Sequence, residues 1–183
     1  MPVRLVVEGG PYAGVSRGEL ARRARAMLGA LDRSTAELSL VLTDDDRIRE
    51  LNGIYRKKNR PTDVLAFSQL EGEGNVPSRK LLGDVVLSVP TARRQADDRG
   101  CELMAELTML LAHGLLHLLG WDHDTPRKDD RMRRETRRLC RVAYSTAGGA
   151  LRASRRRSPP VKGRTKAKAF GHSLVGRAAR TAR

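Results

Sequence analysis

The chain moves between two hydrophobic rhythms. Val3 to Glu8 is a short β-branched run that stops at Gly9-Gly10-Pro11, which predicts a strand. Ser16 is a candidate cap for a helix from about Arg17 to Leu31, where Leu20, Ala24, Met27, Leu28 and Leu31 share one stripe. Ala36 to Thr43 returns to a period of two, with Leu38, Leu40 and Leu42 on one side and Glu37, Ser39 and Val41 on the other, the pattern of a half-buried strand. Asp44-Asp45-Asp46 opens a helix that continues through Ile48, Leu51, Asn52 and Tyr55, because carboxylates are favoured at the positive end of the helix dipole. A polar break covers Lys57 to Pro61. Val64 to Phe67 is a short apolar run, Glu71 to Ser78 reads as a loop, and Asp84 to Val89 reads as a further strand. Pro90-Thr91 starts a helix that Gly100 ends. Glu102 to Leu119 is apolar nearly all round, which predicts a buried central helix. Thr125-Pro126 opens a last helix that runs to about Tyr144. There are too few β-α-β units for a doubly wound sheet. The predicted fold class is α+β: a small mixed β-sheet packed against helices.

Composition changes this picture at one end. The 183 residues carry 36 Lys+Arg against 21 Asp+Glu, a formal net charge of +15. Residues 1–151 hold 25 of the bases and all 21 acids, whereas 152–183 hold 11 bases and no acid. Such a segment cannot bury enough apolar surface to offset chain entropy. The expectation is a globular domain over 1–151 and a basic, disordered tail over 152–183 suited to contacting nucleic acid. The two cysteines, Cys101 and Cys140, exclude a disulfide scaffold and a cysteine zinc finger. No leader pattern opens the chain, and the longest apolar stretch, Leu107 to Trp121, is too short to cross a bilayer. The expected location is therefore the cytoplasm, with no membrane partner.

The candidate chemistry lies in the central helix. His113 and His117 are four residues apart, so their side chains share one face about 5–6 Å apart. Gly120 can take the left-handed conformation that stops a helix, and a turn through Trp121 and Asp122 can then bring His123 to the same metal. Three neutral nitrogens and one open position are the pattern of a catalytic zinc site. Water on such an ion has its pKa lowered towards about 7 and becomes a nucleophile. The plainer reading is two core histidines and a surface turn residue, but burying two imidazoles without a purpose costs free energy. In the H-E-x-x-H pattern of zinc peptidases the second position is the general base, and here that position is Gly114. Glu106 lies on the same stripe about 10 Å from His113 by helical rise. It either lines the approach to the metal, takes part in an outer shell around it or, more plainly, meets solvent at the helix start.

The run His113-Gly-Leu-Leu-His117-Leu-Leu-Gly120-Trp-Asp122-His123 closely resembles the signature of the YbeY family. Two further blocks agree, Leu51-Asn52-Gly-Ile-Tyr55-Arg56 followed by Arg60-Pro61-Thr62-Asp63-Val64-Leu65-Ala66-Phe67, and Leu82-Gly83-Asp84-Val85-Val86-Leu87-Ser88. The resemblance covers roughly residues 35–140. Trp121, Ala66, Ser68 and Asn59 depart from the family pattern, none at a metal ligand, and the last helix is more basic than expected of the family. The resemblance implies a zinc-dependent, single-strand-specific endoribonuclease acting in rRNA maturation and ribosome quality control, with rRNA and the small ribosomal subunit or its assembly factors as partners. It implies one zinc ion per chain on His113, His117 and His123, with Arg56 and His117 carrying catalysis. A guanidinium at Arg56 suits this role because it can grip a phosphodiester with two donors. Asp63 and Asp84 are expected to cap or brace the site. Two other readings compete: a zinc peptidase or amidase, and a non-catalytic RNA-binding assembly factor with a structural metal.

Overall fold

The computed structural model describes residues 3–69 and 81–145. Within them the order is β1 (Val3–Val7), α1 (Arg17–Ala30), β2 (Glu37–Thr43), α2 (Asp45–Arg56), β3 (Val64–Ser68), β4 (Leu81–Ser88), α3 (Val89–Arg99), α4 (Leu103–Leu118) and α5 (Pro126–Ser145). The four strands form one sheet in the order β1-β2-β4-β3. The first two pairings are parallel and β3 runs antiparallel to β4. This is the α+β class that the patterning predicts.

Local chemistry explains where the helices begin. Ser16 accepts from the Glu19 N–H, Asp44 from Arg47 at 2.8 Å and Ser88 from Thr91 at 3.2 Å, so α1, α2 and α3 each start on a side-chain cap. Thr125 does the same for α5 through the Lys128 N–H. The alternation in β2 sorts its side chains as expected. Leu38, Leu40 and Leu42 point into the main core with Val85 and Leu87 of β4. Val41 and Val86 face the other way, where Ile48 of α2 packs with Leu65.

The main core lies between the sheet and the helices α1, α4 and α5. Leu107, Leu111 and Leu115 of α4 are completely buried, each contributing about 1.5–3 kcal/mol by removal from water. Gly114 lets α4 approach the sheet closely. A β-carbon there would fall 2.8 Å from the Val85 Cγ1 and 3.3 Å from the Val64 Cγ2.

Two expectations need correcting. First, β4 begins at Leu81 rather than at Asp84. Its extra residues include Gly83, whose φ of +136° and close approach to the Phe67 carbonyl admit no side chain. Second, Glu106 neither meets solvent nor lines the approach to the histidines. It is 2% exposed, and its Oε1 lies 2.5 Å from Arg99 Nη1. Gly100 at φ +63° ends α3 and turns the chain so that the last residue of α3 returns beside the first turn of α4. The loop expected at Glu71–Ser78 lies outside the described residues, as does the tail expected at 152–183. Among the described residues no single helix is long and apolar enough to cross a membrane, and both cysteines are free.

Candidate metal centre

Helix α4 ends one residue after its second histidine, and the way it ends builds the site. Gly120 takes φ +77°, its N–H donates to the His117 carbonyl at 3.0 Å, and the Trp121 N–H donates to Leu116 at 3.0 Å. This paired capping is the Schellman arrangement, which reverses the chain in a fixed way. The reversal brings His123 back over the helix end. One nitrogen from each of His113, His117 and His123 then lies within 4.8 Å of the others. The Nε2 atoms of His113 and His117 are 3.1 Å apart. Two nitrogens bound about 2.0–2.1 Å from one tetrahedral ion would sit about 3.3 Å apart. The spacing therefore fits a shared ion with little rearrangement.

The electrostatics fit as well. A metal ligand must be a neutral imidazole. Burial pushes His113 down to about 4, helped by repulsion from His117 and His123 and opposed by Asp63 and Asp129. His117 is also held below its usual value, by burial first and then by the charges of His123 and Arg56, against a hydrogen bond with the Trp121 backbone. Both side chains thus stay unprotonated and ready to donate a lone pair near neutral pH.

The histidines form one wall of a cleft of about 650 Å³. The rest of its lining comes from the end of α2, the following loop and β3. Arg56, the last residue of α2, lines the cleft. So do Lys58 and Arg60, which the patterning assigns only to a polar break. Lys57 closes α2 in the left-handed conformation at φ +55°, and buried Asn52 donates to the Arg60 carbonyl at 2.7 Å, so the cationic loop is held from beneath. The signal for Lys58 and Arg60 was present in the sequence as two more cations within four residues of Arg56. Asp63 also reaches the cleft. Its carboxylate accepts from the Val64 N–H at 2.9 Å and from Gln95 of α3 at 3.0 Å, which ties the start of β3 to α3. Asp84 lies elsewhere, opposite Phe67 in the β3-β4 register and lining a separate groove with Tyr55 and Arg47. Asp122, which also lines the cleft, accepts from Lys128 at 3.0 Å, a bond that holds its carboxyl below the usual range.

Fold and site together define a small α+β protein in which three histidines can hold a metal ion in a cleft also lined by Arg56, Lys58 and Arg60. The family model described as endoribonuclease YbeY matches residues 16–143, and the chain belongs to that family. It is 46% identical to the endoribonuclease YbeY of Anaeromyxobacter dehalogenans over 156 residues, 85% of this chain and 78% of that one. To the endoribonuclease YbeY of Aquifex aeolicus it is 45% identical over 121 residues, 66% of this chain and 79% of that one. The fold also matches a Thermotoga maritima protein solved in solution, with a TM-score of 0.53 at 20% identity over 85% of this chain and 99% of the other.

Proposed function

We propose that the chain is a zinc-dependent, single-strand-specific endoribonuclease that acts in the cytoplasm on small-subunit rRNA, in 3′-end maturation and ribosome quality control. Family membership makes it an enzyme, a hydrolase acting on RNA. The observation that carries the finer reading is the cleft itself, lined both by the three nitrogen donors and by Arg56, Lys58 and Arg60. Its partners in this reading are rRNA and the small subunit or its assembly factors. Residues 1–151 are the ribonuclease domain, and the basic residues 152–183 add contacts to nucleic acid.

His113, His117 and His123 would hold one ion, and three imidazoles suit zinc. When bound, such an ion supplies a Lewis acid at the phosphate and acidifies water. The chain's own groups do the rest. Arg56 presents a planar fork of donors to phosphate oxygens, and Lys58 and Arg60 add positive charge to the same cleft. Charge that develops on the phosphate in the transition state is stabilised by donors already in place, which costs no reorganisation at that moment. Asp63 is engaged in three hydrogen bonds and acts as a brace for the wall. The peptidase reading loses ground here. Position 114 faces the sheet rather than the cleft, and even a β-carbon is crowded there, so no glutamate base can stand in that place.

The test is elemental analysis of the purified protein combined with RNA cleavage by wild type and His117→Ala. The reading expects about one zinc per chain and cleavage of single-stranded rRNA by wild type alone. RNA binding that survives in the histidine variants, together with unfolding on metal removal and no cleavage by wild type, would replace it with a structural-metal assembly factor.

A further inference from the structure

Helix α5 starts three residues after His123 and carries eight Lys or Arg against three acids between Arg127 and Arg141. Its buried side is narrow: Met132, Thr136, Leu139 and Ala143. Arg127, Arg134 and Arg141 recur every seven residues on the opposite side and are exposed, with Arg137 exposed beside them. Steps of seven return to nearly one line, so this ridge is about 21 Å long. Arg134 is ion-paired with Asp130, and Arg133 and Arg138 also have carboxylate partners. Among the described residues Arg127, Arg137 and Arg141 have none within 4 Å. The ridge is joined to the metal turn through Arg131, whose guanidinium lies 4.5 Å from the ring centre of Trp121, two residues before His123.

We propose that this ridge of α5 is a second RNA-binding element, a track that holds the phosphate backbone of single-stranded RNA outside the cleft. The inference rests on the reading of the cleft as an RNA-cleaving site and adds where a longer substrate runs. Two observations favour a polyanion over a protein partner. Uncompensated arginines are what phosphates neutralise, releasing counterions as they bind. A protein interface instead needs an apolar or aromatic centre, and from Arg127 to Arg141 every exposed residue of α5 is polar or charged. Backbone contacts of this kind set position and affinity and carry no base preference.

The test uses the full chain with Arg127→Gln, Arg137→Gln and Arg141→Gln combined. None of the three has a carboxylate partner to strand, and all are exposed, so the fold stays intact. Binding to a long single-stranded RNA is measured across a salt series, beside cleavage of a short oligoribonucleotide and metal content. Three lost phosphate contacts lower the slope of log K against log salt by about 2. The advantage of wild type over the variant then shrinks about 16-fold between 50 and 200 mM salt. Cleavage of the short RNA and metal content stay at wild-type levels, and Arg133→Gln, a paired arginine off the ridge, leaves the slope unchanged. Equal slopes for wild type and the triple variant overturn the track. Impaired cleavage of the short RNA at equal metal content also overturns it, because the arginines would then serve the cleft. Failure of wild type to cleave any RNA removes the reading of the cleft, while the binding slopes still decide the ridge.

Discussion

Helices α4 and α5 are neighbours in sequence and in space, yet they are built on opposite principles. Eleven of the sixteen residues in α4 are buried, against four of the twenty in α5. The first is held by leucines on nearly every side and carries two imidazoles whose spacing must be right to a fraction of an ångström. The second is held along one narrow stripe and displays charge. A metal site needs ligands whose positions are fixed by surrounding packing, whereas attraction to a polyanion needs charge density and little geometric accuracy. The two kinds of task have been given to two kinds of helix.

The sharpest way to break that contrast is at the ligands. His117→Ala should weaken metal binding by more than about 100-fold, since losing even an outer partner of a ligand costs 10–100-fold. It should also abolish RNA cleavage, and metal titration with a cleavage assay checks both. Next comes Arg56→Ala, which should keep metal and fold but slow cleavage by about 10²–10³, the usual cost of removing one preorganised donor. Arg56→Lys should recover only part of that, because an ammonium lacks the planar fork. Unchanged cleavage in Arg56→Ala at both limiting and saturating RNA would remove Arg56 from the machinery.

Stability should separate the two helices directly. Leu111→Ala in α4 should cost about 2–5 kcal/mol, and Gly114→Ala about 1–3 kcal/mol by forcing a methyl against Val85. Arg133→Gln on the surface of α5 should change stability by no more than about 0.5 kcal/mol. Denaturant midpoints of the three variants measure this. Equal losses in both helices would show that α5 is packed far more tightly than its exposed face indicates.

A finer effect concerns pH. His113 is pushed down to about 4 from a usual 6.5. Between those values the unfolded chain takes up a proton that the folded, metal-free chain refuses, so the unfolded state gains. The stability of the metal-free protein should therefore be complete above about pH 6.5 and fall as pH drops towards 4. Thermal melts at stepped pH check the direction, and His113→Gln should flatten the dependence. Metal affinity should weaken over the same interval, because protons and metal compete for the same nitrogens.

The same contrast explains what could be read from the sequence. Helix α4 was readable in every respect that depends on local spacing: its apolar faces, its two histidines one turn apart and the glycine that ends it. The helix starts at Ser16, at Asp44-Asp45-Asp46 and at Thr125 were readable for the same reason, each being a short-range pattern. The acidic triplet shows a favourable dipole and not that Asp44 is the capping residue. Glu106 was not. Its burial depends on Arg99 arriving from α3 across the turn at Gly100, and no helical stripe contains that information. The start of β4 was missed because Gly83 looks like a breaker until its partner strand is known, when the close Phe67 carbonyl makes a glycine necessary. Lys58 and Arg60 were hidden by being loop residues. Their role comes from buried Asn52, which holds the Arg60 carbonyl, and from the histidines that line the same cleft, both of which are tertiary facts.

The three nitrogen donors fall within eleven consecutive residues, on one helix end and the turn that follows it. Such a ligand set is a local chelate. A largely unfolded chain keeps its histidines equally close in sequence and can still capture a metal through two or three of them. A ligand stabilises a fold only by the difference between its affinities for the folded and unfolded chains, and binding to the unfolded chain subtracts from the gain. A metal at this site would therefore raise the melting temperature by less than its affinity suggests. The energetic coupling between metal and fold is set by how well the packed α4 aligns the imidazoles, compared with how nearly the loose peptide can align them by itself.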